Sequence, residues 1–461
     1  MKNLITAACL CVAAGCGSSN HAGQAPRPTG LARLNHIVVI VLENWSFDSL
    51  YGQMPGADGL QAAAGAPPQV DATGAAYAAL PQNETHLPQT LPNSPFALDA
   101  FISTDAVTST DLTNNFYEEQ RQIHGGRMDQ FVLYDAAAKG LTMGYYSSAG
   151  LPLAAEAATY TLCDHFFHGV FGGSLQNHIF LISAGVAQFA DAPASIKRAV
   201  LDDAGAPVAD ASGKPQDGPL TPDGYLVGTL FPAGGPHPPS TPPEQLVPPQ
   251  TFPTVGDRLT ARGLDWAWYA EGWNEILAGT NLNDAGTDTA TLFQYNHQPF
   301  AYFAGYGPGQ PGRAHLKDES DFLAAAASGA LPAVSFVKPD GVDNEHPGYT
   351  NVITGEAHAR ALIDAVRNGP AWPDTAIIVT YDENGGFWDH VAPPAGDRWG
   401  PGTRVPTMVI SPLARRGFVD ATPYDASSIL ALIEHRFGLA PLGTRDAAAA
   451  DLTAAFDFTE P

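Results

Sequence analysis

A chain of 461 residues, 44% of them hydrophobic, can bury a sizeable core as one large α/β domain or as two or three ordinary ones. Only 15% of the residues are charged, and 22 Lys and Arg stand against 47 Asp and Glu, a formal net charge of −25. That balance excludes sequence-general nucleic-acid binding, which needs a basic face, and electrostatic docking on an anionic membrane; an anionic substrate would require positive charge supplied locally, most simply by a metal ion.

Residues 1–16 read as an export signal. Lys2 gives the basic start, and Leu4 to Gly15 is an apolar and small-residue run too short to span a bilayer. The run ends Ala13-Ala14-Gly15-Cys16, which resembles the lipobox of bacterial lipoproteins. A lipidated Cys16 would attach the mature chain to a membrane; ordinary signal cleavage is the alternative. The expected location is the periplasm, as an outer-membrane-anchored lipoprotein or a soluble protein, or the medium. Residues 17–33 form a flexible tether, and residues 34–461 a single domain. With the signal removed and Cys16 lipidated, Cys163 is the one remaining cysteine, so no internal disulfide is expected.

The first predicted strand is His36–Leu42, a continuous β-branched run that suits a strand buried on both faces of a parallel sheet. Similar runs lie at 333–337, 375–381 and 407–410, with a weaker one at 264–269. Helical periodicity falls at 356–368, closed by Asn368-Gly369-Pro370, and at 425–437, with Ser427 or Ser428 near its start. Strands alternating with helices predict an α/β fold with a doubly wound, mostly parallel sheet flanked by helices. Residues 202–254, dense in Pro, Gly and Asp, read as a loop-rich excursion on the surface or over the site.

In such sheets ligands gather at the carboxyl ends of strands. The first strand runs straight into Glu43-Asn44, and the strand at 375–381 into Asp382-Glu383-Asn384-Gly385-Gly386. Carboxylates with an amide oxygen suit a hard or borderline divalent cation, although a cap or turn explains either segment taken alone. Gly172-Gly173-Ser174 allows close approach of backbone to a phosphate ahead of a helix N-terminus, with Ser174 as nucleophile or, more plainly, as an N-cap. His346 and His390 follow strand ends and could hold phosphoryl oxygens or protonate a leaving alkoxide. His21, His86, His237, His297, His358 and His435 read as surface or hydrogen-bonded histidines, and Cys163, His165 and His168 match no zinc spacing.

Glu43-Asn44-Trp45-Ser46-Phe47-Asp48 resembles the ENxSFD signature of the bacterial phosphoesterase family of acid phosphatases and phospholipases C. The resemblance continues through Gly126-Arg127-Met128-Asp129, Met143-Gly144-Tyr145-Tyr146, the GGSxxNH segment at 172–178, NEHPGY at 344–349, YDENGGFWDHVAPP at 381–394, DRWGPG at 397–402 and SPLARRG at 411–417. It implies an alkaline-phosphatase-like sandwich. It also implies one divalent ion (Ca²⁺, Mg²⁺, Mn²⁺ or Zn²⁺) held by Glu43, Asn44, Asp382, Glu383 and the nucleophile Ser174. Glu345, His346 and His390 fall on positions that contact the phosphoryl group. Asn114 stands where a DxxH pattern beginning at Asp111 has its histidine; Asn115 or His124 are alternatives for that role. Serine in GGSxxNH is the acid phosphatase form, where the phospholipase C branch tends to carry Thr. The expected substrate is therefore a small phosphate monoester. A phospholipid headgroup diester is the alternative, and a non-catalytic surface binding protein the alternative of another class.

Overall fold

The computed structural model describes Met1 and residues 29–211, 214–279 and 293–459. The export signal, Cys16 and most of the tether lie outside the described residues. The elements that build the core are, in chain order, β1 (His36–Leu42), α1 (Phe116–Ile123), β2 (Thr161–Cys163), α2 (Ser174–Ser183), α3 (Val255–Ala261), β3 (Trp266–Ala270), β4 (Leu316–Asp318), α4 (Glu319–Ser328), β5 (Val334–Lys338), α5 (Val352–Arg367), β6 (Thr375–Tyr381), β7 (Thr407–Ile410), β8 (Phe418–Asp420) and α6 (Ala426–Phe437).

The eight strands form one sheet in the order β8-β2-β7-β6-β1-β5-β3-β4. β7 runs antiparallel to both its neighbours, and the other pairings are parallel. The fold is therefore mixed α/β with a mostly parallel sheet, as the alternating pattern predicts. β1 and β6 sit at its centre, and Ile37 to Leu42 and all of β6 are buried, which is why both read as unbroken apolar runs rather than alternating ones. α4 packs on β3, β4 and β5, while α5 packs on β1.

The register of the central pair positions the site. Leu42 lies opposite Tyr381, the last residues of β1 and β6, and the Asp382 N–H donates to the Leu42 carbonyl at 3.2 Å. Glu43-Asn44 and Asp382-Glu383 therefore leave the sheet side by side.

Two boundaries differ instructively from the expected ones. α5 begins at Val352, before the expected 356, because the Asn351 side chain accepts the Thr354 N–H at 2.9 Å and caps the helix there. α6 begins at Ala426, one residue past the expected 425, because Asp425 is its N-cap, its carboxylate accepting the Ser427 N–H at 2.7 Å. Residues 202–254, outside the masked pair, carry only the short 3₁₀ turn Pro243–Gln245 and isolated bridges such as Leu220 with Leu226.

Candidate active site

β1 delivers Glu43 and Asn44, both fully buried, and β6 delivers Asp382 and Glu383. Opposite them, Ser174 opens α2. Gly172 precedes it at φ +85°, where a Cβ would also meet the Phe116 nitrogen at 2.5 Å, so only glycine brings the serine in at this angle. The Ser174 hydroxyl sits against the Asp382 carboxyl. The serine that could have been a mere N-cap is the first residue of α2 instead, with Gly173 in the cap position. Ser174, Asn114, His297 and His346 share one cavity of about 420 Å³.

Several buried oxygens here have no hydrogen-bond partner: Glu43 Oε2, Asn44 Oδ1 and Asp382 Oδ2. An unpartnered buried acceptor costs about 1–3 kcal/mol, more when charged. Three such acceptors, two from carboxylates, at the ends of two adjacent strands are the donor type a divalent cation takes, although the acids and histidines that come within 4.8 Å of one another here are Glu43, His178 and His297, without Asp382 or Glu383. Glu383 contributes differently: Oε1 accepts from the Asn114 amide and Oε2 from the Gly385 N–H at 2.6 Å.

The electrostatics separate the acids. Burial opposes charge on Glu43, but His297 and Lys338 outweigh it and hold its carboxyl well below the usual carboxylate range. Lys338 Nζ lies 2.7 Å and His297 Nε2 2.9 Å from Glu43 Oε1. Burial pushes His297 down to about 4, so near neutral pH the imidazole is uncharged and Lys338 is the full counter-charge. Asp382 is pushed well up by burial and by Glu43, and Glu383 well up by burial and by Asp382. Crowded, desolvated carboxyls of this kind bind protons tightly unless a cation replaces them.

His346 Nδ1 faces the Pro347 carbonyl at 2.7 Å, which can only accept, so Nδ1 carries the hydrogen. Its Nε2 is then the acceptor for Asn44 Nδ2 at 3.0 Å. Tyr349 stacks on the ring with centroids 4.2 Å apart. His178 donates Nδ1–H to the Ser174 carbonyl at 2.7 Å and stacks on His297 at 4.7 Å.

Two expected phosphoryl contacts lie elsewhere. His390 does not line the cavity. Its Nδ1 bonds Asp48 at 2.7 Å and its Nε2 Asp58 at 3.1 Å, beside the buried pairing of Arg404 with Asp389. Glu345, at a left-handed φ of +64°, does not line the cavity either. Its carboxyl is buried among Glu356 and Tyr381, and burial followed by Glu356 pushes it well up. His124 bonds Asp129 at 2.6 Å and also lies outside the cavity, whereas Asn114 and Asn115 both line it. The sequence reading missed His297, left among the surface or hydrogen-bonded histidines but only 4% exposed, and Lys338, which ends β5 one residue past the run expected there.

A model of the family described as the phosphoesterase family matches residues 34–440. The chain belongs to the phosphoesterase family. Phosphoesterases similar to it include phospholipase C A of Mycobacterium tuberculosis, 28% identical over 95% of this chain and 80% of that protein. The non-hemolytic phospholipase C of Pseudomonas aeruginosa is 26% identical over 94% of this chain and 59% of its own length. Among solved structures, a protein of the alkaline phosphatase superfamily from Vibrio parahaemolyticus aligns at 10% identity and a TM-score of 0.36, covering 76% of this chain and 73% of that one. A phosphonate monoester hydrolase of Agrobacterium radiobacter aligns at 11% identity and a TM-score of 0.35, covering 93% and 78%. As a phosphoesterase, the protein is a phosphoric ester hydrolase.

Proposed function

We propose that the protein hydrolyses small phosphate monoesters in two steps through a phosphoserine at Ser174, with one divalent cation held by Glu43, Asn44, Asp382 and Glu383. The observation that carries this reading is that Ser174, set against the Asp382 carboxyl, opens onto a cavity also lined by Asn114, His297 and His346. When bound, the cation lowers the pKa of the serine hydroxyl and neutralises charge on the phosphoryl group.

The chain's own residues do the rest. The N-terminal turn of α2 directs backbone N–H groups at an anion beside Ser174. Asn114, tied to Glu383 through one amide hydrogen, presents the other to the equatorial oxygens, while His297 spends its one N–H on Glu43. With its Nδ1 held by Pro347, His346 can exchange a proton with the leaving group only at Nε2, once that atom releases the Asn44 amide. Asn114 donates a hydrogen bond but shuttles no proton, which leaves His346 as that carrier. Water on the same path then hydrolyses the phosphoserine.

A second reading, phospholipase C activity on headgroup diesters, is favoured by the names of the relatives that align over 95% of this chain. Rates on a phosphomonoester and on phosphatidylcholine, each with and without chelator, separate the two. The monoesterase reading expects chelator-sensitive turnover of the first and little of the second, and the opposite ranking overturns it. We also infer export, from the signal reading of residues 1–16. Among the described residues no helix is long and apolar enough to cross a membrane. Fractionation of cells producing the wild type and Cys16→Ser tests the lipid anchor: loss of membrane association in the variant supports it, and unchanged partition removes it.

A further inference from the structure

Glu43 faces two donor sets. One is the oxygen side, toward Asn44 and Asp382. The other is nitrogen-rich: a carboxylate oxygen of Glu43 and ring nitrogens of His178 and His297 lie within 4.8 Å of one another, all buried. Two imidazoles and a carboxylate make a ligand set of the zinc class. His178 is oriented as a ligand would be. Its Nδ1 is fixed on the Ser174 carbonyl at 2.7 Å, and its buried Nε2 has no hydrogen-bond partner. The stacking with His297, interplanar angle 10°, fixes the second ring.

The shared carboxylate is already engaged. Lys338, 1% exposed, brings Nζ to 2.7 Å from Glu43 Oε1 and donates to the Pro339 carbonyl at 3.4 Å. β5 ends on this lysine beside β1, so the sheet register holds it against Glu43. An ammonium at that distance takes up the charge of the carboxylate and repels a second cation in a desolvated site.

We propose that Lys338 is a built-in cation that closes the Glu43, His178 and His297 set to metal and restricts the centre to one exchangeable ion. The single-ion part rests on the proposed ion at Asn44 and Asp382. A plain structural ion pair would make no difference to metal content, and that separates the two roles.

The test is the number of bound Zn²⁺ or Co²⁺ ions per chain in the wild type, Lys338→Met and Lys338→Gln. It is read by elemental analysis after loading and dialysis, with circular dichroism checking that each variant folds. The wild type is expected to hold one ion. Each folded variant is expected to hold two, the second Co²⁺ adding visible bands from nitrogen ligation. His178→Ala placed in the Lys338→Met background should remove the added ion. A wild type that already holds two ions overturns the proposal, as do folded variants that hold no more than the wild type. A wild type that holds none defeats the ion at Asn44 and Asp382 instead, and a gain of one in Lys338→Met still decides for the role of Lys338.

Discussion

Asn44 and His346, 302 residues apart, meet at 3.0 Å through Nδ2 and Nε2, so one contact joins the residue that follows β1 to an imidazole lining the cavity. Removing the ring removes the proposed proton carrier without opening the sheet. His346→Ala should lower kcat/KM by about 10²- to 10⁴-fold, while the melting temperature moves little. A folded variant with wild-type kcat/KM assigns the proton to another group.

Asp382 and Glu383 are both pushed well above their ordinary values, by burial first and then by neighbouring acids. Both therefore hold their protons more tightly than ordinary carboxyls do, and a bound cation would compete with those protons. Divalent ion binding should release protons into a weakly buffered solution, and its affinity should fall as the pH falls. Calorimetry in buffers of different ionisation enthalpy measures the release, and binding without any release contradicts the ligand set.

Arg404 is fully buried against Asp389 at 2.8 Å and Asp48 at 3.2 Å, the second of which also holds His390. Stripping the guanidinium leaves buried acids uncompensated, and burial already pushes Asp389 up to about 6. Arg404→Ala should cost about 3–5 kcal/mol in denaturant unfolding. His390→Gln, outside the cavity, should affect stability more than kcat; a loss of kcat comparable to that of His346→Ala would restore His390 to the chemistry.

His358 lies 3.0 Å from both Glu319 oxygens. Burial lowers its pKa, but Glu319, Glu271 and Asp343 outweigh that and raise it from 6.5 to about 9. A raised folded value means the folded state holds the proton more tightly. The stabilisation is thus complete below about pH 6.5 and is lost as pH rises through about 9. Thermal melts of the wild type and His358→Gln should differ most at pH 6 and converge by pH 10. A gap that is constant across this range contradicts the assignment.

Much of this arrangement was legible in the residues. β1 and β6 announce themselves because burial on both faces leaves no polar alternation, and the acids that follow them are adjacent because parallel strands in register end together. β2, β4 and β8 have three residues each, too few for periodicity to register. His297 was invisible because it lies in a 3₁₀ turn, Tyr295–His297, and is brought to Glu43 by tertiary contacts alone. Lys338 closes an apolar run and looked like its polar boundary. His390 and Glu345 show the reverse limit: a motif fixes that a residue is near a strand end, but not which way its side chain leaves the backbone.

The claim on which the mechanism depends is the covalent step at Ser174. The direct measurement is acid-quenched reaction with a labelled phosphomonoester, followed by peptide mapping. The wild type should carry label on the peptide containing Ser174, and a folded Ser174→Ala variant should carry none and have no turnover. Wild-type turnover in Ser174→Ala, or label on a different residue, would contradict it.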